Sequence, residues 1–548
     1  MVKITHMGDK SKDANGNYVS SVTLRRFDDN TNITINPGDT IDVDQATYNF
    51  LINYKTLDSN GNIISFQLSF VNREEELTYL RHEYSSNQFR FIVVTGRRRV
   101  GKTFLISHFL KDKSNALYIY VPEEDRLSVR LDVARKIGEK FGLSFVGSPE
   151  WSEIFEKVFL YSKKNRATIV FDEFQRFSKI DPSVFSHLQN AIDANAFSSR
   201  LFLVTMGSSI GMMDEIFQSE GAPLLGRKTG TLKLPPFSFK STRQMLGLET
   251  QLAIRYYNFF GGTPAYISRL DLLSASLNQA ERMQLTVSQD QTNQLFSNIN
   301  RLMLSNRGPL YEEAESLLKE ELSEPKTYFD ILRYIATGKN TPKEIADMLS
   351  INATSLSHFF DVLGSKLDLI ARKVPVTENP LKSKSGRYFI KDNYFAKWFR
   401  YVFQNKSELE LGNSLPVLNK IKTEESTLLG RTFEQVCEEA LRELAGKRSM
   451  PEFEKLGQWW ERDIEIDLMA LNESKKEILF GECKWKDRVD ALAVLSKLKE
   501  KSENVAWNRK NRKERFVIFA KTFEGKSREK VEKEALTFDI YELDKLFK

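Results

Sequence analysis

Eight consecutive residues, 96 to 103, have the types and spacing of a phosphate-binding loop: Gly-Arg-Arg-Arg-Val-Gly-Lys-Thr. An apolar, β-branched run precedes them and a helix-prone run follows, which is the order such a loop requires. The glycines let the backbone curl so that N–H groups point at phosphate oxygens, and the helix adds the positive end of its dipole. The predicted nucleotide-binding residues are Gly96, Arg97, Arg98, Arg99, Val100, Gly101, Lys102, Thr103 and Phe104.

Four polar side chains in and near this loop have predicted roles in phosphate chemistry. Lys102 is expected to reach the β- and γ-phosphates, and the Thr103 hydroxyl to ligate Mg²⁺. The run at 167–175, Ala-Thr-Ile-Val-Phe-Asp-Glu-Phe-Gln, predicts a buried strand that ends in two acids at the carboxyl edge of a parallel sheet. Asp172 is expected to hold Mg²⁺ through water, and Glu173 to orient and polarise the attacking water.

Two later residues could complete the same site. A strand predicted over residues 200–205 leads to Ser208, which is placed to sense the γ-phosphate, although a plain strand-to-turn junction also explains it. Arg227 could stabilise transition-state charge, either in its own chain or in a neighbouring subunit of a homo-oligomer. A surface salt bridge accounts for Arg227 equally well.

Residues 71 to about 270 resemble the archaeal-type P-loop ATPase family, relatives of the AAA+ and STAND ATPases. The resemblance implies ATP as the ligand and ATP hydrolysis as the activity. The matching residues are Asn72-Arg73-Glu74, the loop at 96–103, Phe-Asp-Glu-Phe-Gln at 171–175, Gly207-Ser208-Ser209, Gly226-Arg227 and Gly-Gly-Thr-Pro-Ala-Tyr at 261–266.

A second set of acids and a lysine lies near the end of the chain. Residues 459–470 are predicted to form one strand with Asp467 on one face, and the next strand places Glu482 and Lys484 together on one face. Asp, then Glu-x-Lys, on adjacent strands is the core of the PD-(D/E)XK nuclease fold. Asp467 and Glu482 are expected to bind Mg²⁺, and Lys484 to position or deprotonate water. Glu434, predicted near the start of a helix beginning at Gly430, could complete the metal shell.

Alternating acids and lysines are also common as solvent-facing cross-strand pairs, so Glu-x-Lys alone carries little weight. Two longer segments resemble the carboxy-terminal domain that accompanies this ATPase family: Trp-Trp-x-Arg-x-x-Glu-Ile-Asp at 459–467 and Gly-Glu-Cys-Lys-Trp at 481–485. The nuclease fold is therefore expected, with its chemistry either retained or lost.

Residues 325–410 are predicted to form a winged helix, with helices over 328–336 and 341–349 and a recognition helix over 352–363. Strands over 369–376 and 387–390 would form the wing. The recognition helix carries no Arg or Lys to read guanine or bind phosphate, so DNA contact and protein contact both remain open.

Composition sets the broad class of the chain. Its 548 residues exceed a single core, and no apolar run is long enough to span a bilayer, so no membrane partner is expected. Two cysteines fit a reducing cytoplasm, and the net charge of +6 is too mild to indicate nucleic acid by itself. The predicted domains are a β-rich accessory module (1–69), an α/β P-loop core with a parallel sheet (70–240), a helical lid (241–324), the winged helix (325–410) and an α/β nuclease-like domain (425–548).

The sequence therefore predicts an ATP-binding, ATP-hydrolysing protein that acts on DNA or is regulated by it, through a Mg²⁺-dependent nuclease-like domain. The alternative is a signalling or scaffold ATPase with a degenerate nuclease fold and a protein-binding winged helix. The absence of Arg and Lys from the predicted recognition helix at 352–363 motivates that alternative.

Overall fold

A computed structural model describes residues 72–272, 287–322, 324–447, 450 and 452–548, together with the backbone of seven strands between residues 2 and 68. Side chains of residues 287–291 are not part of the description. The chain divides into two compact units. The first, called the nucleotide unit, comprises Met1–Ser208 and Met212–Pro235; the second, called the carboxylate unit, comprises Ser209–Gly211 and Pro236–Lys548.

The β-rich character predicted for the first 69 residues is confirmed, because short antiparallel strands recur through them. The clusters of Asp, Asn, Gly and Pro at 13–17, 36–39 and 58–62, which predict turns between short strands, lie outside the described residues. The strands are β1 Val2–Met7, β2 Ser11–Lys12, β3 Tyr18–Val19, β4 Val22–Arg26, β5 Asn32–Ile35, β6 Ile52–Leu57 and β7 Ile63–Leu68.

A five-stranded parallel sheet forms the centre of the nucleotide unit, in the order β12-β8-β11-β10-β9. Its strands are β8 Arg90–Thr95, β9 Ala116–Tyr120, β10 Ala167–Asp172, β11 Leu201–Gly207 and β12 Gly230–Lys233. Every residue of β10 and β11 is buried, because helices cover both faces of the sheet. Phe91 and Val93 accordingly pack in one hydrophobic cluster, whereas Ile92 and Val94 pack in another.

The helices of this half of the chain alternate with the strands, as parallel connections require. They are α1 Glu74–Ser85, α2 Lys102–Leu110, α3 Arg126–Phe141, α4 Trp151–Lys164, α5 Phe177–Ile180, α6 Ser183–Asn195 and α7 Ile210–Phe217. The α/β fold with a P-loop-type parallel sheet is therefore confirmed. Asn72, which three glutamates follow closely, is predicted from the sequence to cap α1. That prediction is wrong, since Arg73 directly precedes the helix and no side chain caps it.

Helices make up the first part of the carboxylate unit, and one antiparallel strand pair interrupts them. The elements are α8 Phe239–Leu246, α9 Thr250–Phe260, α10 Pro264–Ile267, α11 Val287–Ile299, α12 Glu313–Glu321, α13 Lys326–Ala336, α14 Pro342–Leu349, α15 Leu356–Asp361, β13 Ile370–Lys373, β14 Arg387–Ile390, α16 Asn393–Lys397, α17 Lys406–Glu410 and α18 Leu415–Gly446. Short π-helical turns follow α11, α15 and α16 at Asn300–Leu304, Val362–Lys366 and Trp398–Val402. Residues 273–286 and 323 of the predicted lid lie outside the described residues.

A second five-stranded sheet ends the chain, in the order β15-β16-β17-β18-β19. The first three strands are antiparallel, and the last two continue in parallel. Its elements are β15 Lys455–Glu461, β16 Ile464–Asn472, β17 Glu477–Lys484, α19 Ala491–Ser502, β18 Lys513–Ala520, β19 Ala535–Phe538 and α20 Ile540–Leu546.

Two predictions about this last region are wrong. The single strand predicted over 459–470 is a hairpin that turns at Arg462, whose φ of 53° is left-handed. The helix predicted to begin at Gly430 begins at Leu415, so Glu434 lies in the second half of a 32-residue helix. A Pro at the second position of α18 suits this earlier start, because the first turn of a helix does not need its N–H group.

The start of α14 gives a test of the fold. The Thr341 hydroxyl accepts a hydrogen bond from the Glu344 N–H at 3.3 Å, and the Glu344 carboxylate accepts one from the Thr341 N–H at 3.1 Å. Loss of such a capping box costs about 1 kcal/mol. We expect Thr341→Ala to raise hydrogen-exchange rates within α14 about fivefold. Thr337→Ala, which removes a hydroxyl bonded outside the box, is the matched control; equal rates in both variants would contradict the prediction.

Candidate functional site

The loop between β8 and α2 has a backbone shape that depends on its glycines. Gly96 has a φ of 153° and Gly101 a φ of 94°, both in the region that favours glycine. A Cβ atom on residue 96 would lie 2.4 Å from the carbonyl oxygen of Leu234, so a side chain does not fit there. Gly101 faces open space, so its requirement is conformational.

Lys102 is the first residue of α2, and its side chain returns over the loop. Its Nζ donates hydrogen bonds to the carbonyl oxygens of Gly96, at 2.7 Å, and Arg97, at 3.0 Å. Only 6% of the residue is exposed. The ammonium group therefore lies inside the curl of the loop, where the backbone N–H groups of a P-loop meet phosphate oxygens.

The remaining loop residues are anchored by their surroundings. Val100 is buried in the hydrophobic core. Arg73, which precedes α1, donates from Nη2 to the carbonyl oxygens of Val100 at 3.3 Å and Pro235 at 2.6 Å, and so braces the loop. The other predicted nucleotide-binding side chains are half-buried: Arg97, Arg98, Arg99 and Phe104.

The structure brings Thr103 and Asp172 together beside the loop. The Thr103 hydroxyl donates to Asp172 Oδ2 at 3.2 Å, and the Tyr118 hydroxyl donates to the same oxygen. Asp172 is the last residue of β10 and is 6% exposed. Burial raises the pKa of Asp172 above its ordinary value, and the Tyr118 hydrogen bond opposes that rise.

Glu173, Ser208 and Gln175 form a second hydrogen-bonded group at the same sheet edge. Glu173 Oε2 accepts from the Ser208 hydroxyl at 2.8 Å and from Gln175 Nε2 at 2.5 Å. Glu173 has a left-handed φ of 56°, which turns the chain sharply after β10. Its carboxylate is therefore held by two neutral donors, and both Ser208 and Gln175 are buried.

Arg227 lies in a different contact from the one predicted for a transition-state arginine. Its guanidinium pairs in a bidentate manner with the Asp193 carboxylate, at 3.1 Å and 2.9 Å, and bonds the carbonyl oxygen of Leu225. The salt-bridge interpretation of Arg227 matches this geometry, and its catalytic role stays a prediction.

The second candidate site lies where β16 and β17 run side by side. Lys484 Nζ is 2.5 Å from Glu482 Oε1 and 3.8 Å from Asp467 Oδ2. The Cys483 N–H donates to Asp467 Oδ2 at 2.8 Å. Burial and the nearby Glu482 charge raise the pKa of Asp467, while Lys484 opposes the rise. Burial alone would lower the pKa of Lys484. The negative charges of Asp467 and Glu482 outweigh that effect, so the pKa of Lys484 is raised.

Two residues that carry no sequence signal complete this group. Lys501 on α19 donates to both oxygens of Glu482, at 2.9 Å and 3.1 Å. Gln458 on β15 donates to Glu434 Oε2 at 2.9 Å. Burial and the Asp467 charge raise the pKa of Glu434 to about 7. Three acids from α18, β16 and β17 thus share one region of the unit.

The strands β13 and β14 border this region. A cavity of ≈210 Å³ is lined by Glu434 and Asp467 together with Lys373 of β13 and Phe389 of β14. The Val376 N–H donates to the carbonyl oxygen of Gln458 at 2.9 Å. Arg387 of β14 forms an ion pair with Glu465 of β16. The predicted wing therefore contacts the carboxylate site directly.

Across the described residues, no three His, Cys, Asp or Glu side chains are grouped closely enough to hold a metal ion. Whether a site suits Mg²⁺ therefore depends on the chemistry of its donor atoms. Thr103 and Asp172 present oxygens, the ligands Mg²⁺ takes together with water and substrate phosphate. The pair fits Mg²⁺, and both metal roles stay predictions.

At the carboxylate site the negative charge suits a divalent cation, although Glu434, Asp467 and Glu482 are not grouped closely enough to hold one in the arrangement described. All three carry oxygen donors, and their mutual repulsion contributes to the raised pKa values of the first two. Lys484 and Lys501 offset part of that negative charge. The three metal roles at this site stay predictions as well.

Sequence reasoning missed five residues of these sites, namely Arg73, Tyr118, Gln175, Gln458 and Lys501. Gln458 directly precedes the motif at 459–467 but lies outside it. Gln175 stands inside the motif at 171–175, and Arg73 inside the motif at 72–74, so a role could have been sought for both. Tyr118 and Lys501 stand in an ordinary strand and helix, where no spacing distinguishes them. Only the pairing of β9 with β10 and the packing of α19 on the sheet bring them to the carboxylates.

An uncharacterized protein of Methanocaldococcus jannaschii, MJECL04, is 35% identical to this chain over 428 residues, which are 77% of this chain and 88% of the relative. Residues 70–270 match a family described as an ATPase domain predominantly from Archaea. The chain belongs to the archaeal-type P-loop ATPase family. The resemblance seen in the sequence is confirmed, and the domain at 70–270 is an ATP-binding ATPase domain.

Other similar proteins match parts of the ATPase. Residues 398–505 match a family described as Archaea bacterial proteins of unknown function. An uncharacterized ATP-binding protein of M. jannaschii, MJ0423, is 52% identical over 44 residues, 8% of the ATPase and 75% of that protein. The solved structure of the Walker-type ATPase paby2304 of Pyrococcus abyssi has 19% identity and a TM-score of 0.45, covering 60% of the ATPase and 96% of that chain. Within the described part of the ATPase, none of the helices combines the length and apolar character needed to cross a membrane.

The raised pKa of Glu434 predicts a pH-dependent effect on stability. Its ordinary value is 4.5 and its folded value is about 7, so this group's contribution to stability falls as the pH rises through that window. We expect Glu434→Gln to raise the melting temperature at pH 8 and to change it little at pH 5, because glutamine resembles the protonated acid.

Glu438→Gln is the matched control, since Glu438 lies one turn further along α18 and is paired with Arg442. Scanning calorimetry of both variants at the two pH values measures the difference. A stabilisation of equal size at pH 5 and pH 8 would contradict the assignment.

Proposed function

We propose that this ATPase binds and hydrolyses ATP with Mg²⁺ and thereby controls a nuclease-like domain that acts on DNA. The observation that supports the DNA-cleaving part is the convergence of Asp467 on β16 with Glu482 and Lys484 on the neighbouring strand β17. An acid on one strand and Glu-x-Lys on the next is the arrangement of PD-(D/E)XK nucleases. We interpret the helices and wing strands at 326–390 as a winged helix.

At the P-loop, the residues of the chain divide the work of phosphoryl transfer. Lys102 exchanges its two loop carbonyls for the β- and γ-phosphate oxygens, which carry the charge that it neutralises. Glu173 orients the attacking water, and Ser208 with Gln175 fixes the direction of its carboxylate. Thr103 and Asp172 would hold Mg²⁺, which offsets the charge of the phosphates when it is bound.

At the carboxylate site, Asp467, Glu482 and Glu434 would hold Mg²⁺, which lowers the pKa of a bound water and offsets charge at the scissile phosphate. Lys484 stands beside both strand acids and positions the water through its ammonium group. Lys501 holds the Glu482 carboxylate in place. Arg227 of a neighbouring subunit in a homo-oligomer is the proposed source of transition-state charge at the P-loop.

Substitutions at the P-loop test the ATPase roles. We expect Lys102→Ala to abolish nucleotide binding, because the ammonium group meets the phosphates. Glu173→Gln should bind ATP but lower turnover by at least about 10²-fold, the usual contribution of a positioned base. Fluorescent-nucleotide titration and phosphate release measure the two effects. Lys111→Ala, at the exposed end of the same helix, is the control, and ATP hydrolysis retained in Lys102→Ala would refute the assignment.

Plasmid cleavage tests the nuclease role. We expect the wild-type protein with Mg²⁺ to nick or linearise plasmid DNA, and Asp467→Ala and Lys484→Ala to abolish cleavage. Lys486→Ala, an exposed lysine two residues beyond Lys484, should retain it. Absence of cleavage by the wild type, with and without ATP, together with identical behaviour of the variants, would refute the nuclease proposal.

The alternative, a signalling ATPase with an inactive nuclease fold, is favoured by one observation: Glu482 is already paired with two lysines. In that case the winged helix would contact protein, and α15 with its neighbouring turns offers little positive charge to DNA. Salt-sensitive DNA binding would count against this alternative, because phosphate contacts weaken steeply with ionic strength.

A further inference from the structure

A cleft of ≈960 Å³ lies between the predicted winged helix and the last sheet of the carboxylate unit. The start of α14, the segment that leads into β14, the β15–β16 hairpin and the chain after α19 supply its walls. Three tryptophans, Trp459, Trp460 and Trp507, contribute to the lining, and we call it the tryptophan cleft. Residue 458 lines the cavity of the carboxylate site, whereas residue 459 lines the cleft, so the two spaces adjoin along β15.

Cations outnumber acids in the lining of the tryptophan cleft. Lys343, Lys384 and Arg462 line it from three separate segments, and all three are exposed. Their side chains form no ion pair or hydrogen bond with any residue that the structure describes. Arg387 is a fourth cation of the lining but is already paired with Glu465, and Glu378 and Glu461 are the two acids of the lining. An anion spanning the cleft would relieve the repulsion among the three exposed cations.

Aromatic surface is available inside the same ring of charge. Trp459 and Trp460 are 4% and 8% exposed, so they form the floor and not a free stacking face. The Arg387 guanidinium lies 4.7 Å from the Trp460 ring centre and extends that floor with a flat cation. Trp507 is half-buried and leaves part of its ring open to the cleft. A flat ring can stack there while its charged backbone follows the cations.

We infer that the tryptophan cleft binds single-stranded nucleic acid, with phosphates at Lys343, Lys384 and Arg462 and a base stacked on Trp507. A basic groove with an aromatic platform is the general solution for this ligand. The volume suits a few nucleotides, since clefts of about 300–1,000 Å³ hold ligands of that scale. The inference rests on the proposed function, because the cleft adjoins the cavity that Asp467 lines.

The binding test uses the full-length protein in EDTA, so that cleavage cannot occur. Anisotropy of a fluorescein-labelled oligo(dT) of about 16 nucleotides is measured across a range of salt concentrations. We expect the triple variant Lys343→Glu, Lys384→Glu, Arg462→Glu to bind at least tenfold more weakly. The slope of log K for binding against log salt concentration should be smaller in magnitude by about 2 in the triple variant than in the wild type. That difference corresponds to the loss of three phosphate contacts on a single strand.

A second substitution separates stacking from charge. Trp507→Ala should weaken binding about five- to hundredfold, as loss of a base–aromatic stack does, and Trp507→Phe should restore most of it. Lys420→Glu reverses an exposed cation on α18 that does not line the cleft, and it should leave binding unchanged. Melting curves and ATP binding verify that each variant is folded.

The outcomes distinguish this inference from the proposed function. Wild-type binding that depends on the three cations supports the cleft even if Mg²⁺ then produces no cleavage, a result that refutes only the nuclease. Equal binding by the wild type and the triple variant overturns the cleft even if plasmid is cut. Equally strong competition by a duplex of the same length, or by polyglutamate, also overturns it. An oligo(U) arm shows whether RNA or DNA is preferred.

Discussion

Poorly solvated carboxylates are the constraint on which both sites depend. An ionised acid that is shielded from water loses solvation energy. Hydrogen bonds or an opposite charge must offset that loss, or the acid binds a proton and becomes neutral. Asp172 at the end of β10 and the trio of Glu434, Asp467 and Glu482 all meet this requirement. The surrounding residues can be understood as the groups that supply the compensation.

The two units compensate their acids in different ways. In the nucleotide unit the hydrogen-bond donors are neutral. Tyr118 and Thr103 donate to Asp172. Ser208 and Gln175 donate to Glu173. Neutral donors leave the full negative charge in place for a cation brought by a nucleotide. In the carboxylate unit, lysines supply the compensation directly. Any divalent cation there competes with ammonium groups that are already in position.

The sequence predicted what depends on local pattern. The loop at 96–103, the acids after β10, the helix at 342–349 with its Thr341 cap and the Glu-x-Lys strand were all readable, because period and spacing determine them. The hairpin at Arg462 was missed, since its turn carries neither Gly nor Pro. Tyr118 and Lys501 could not be found from the sequence. Tyr118 is separated from Asp172 by 54 positions and Lys501 from Glu482 by 19 positions, and only tertiary packing brings each pair together.

Helix α18, which carries Glu434 of the carboxylate site, also contacts helices α8 and α9. Five residues after Glu434, the Glu439 carboxylate accepts the first N–H groups of α8, from Phe239 and Lys240, both at 2.8 Å. Arg255 of α9 forms an ion pair with Glu425 of the same helix. A helix is stiff along its axis, and α8 starts only a few residues after the nucleotide unit ends at Pro235. Helix α18 therefore joins the Glu434 carboxylate and the first turn of α8 through one continuous element of the carboxylate unit.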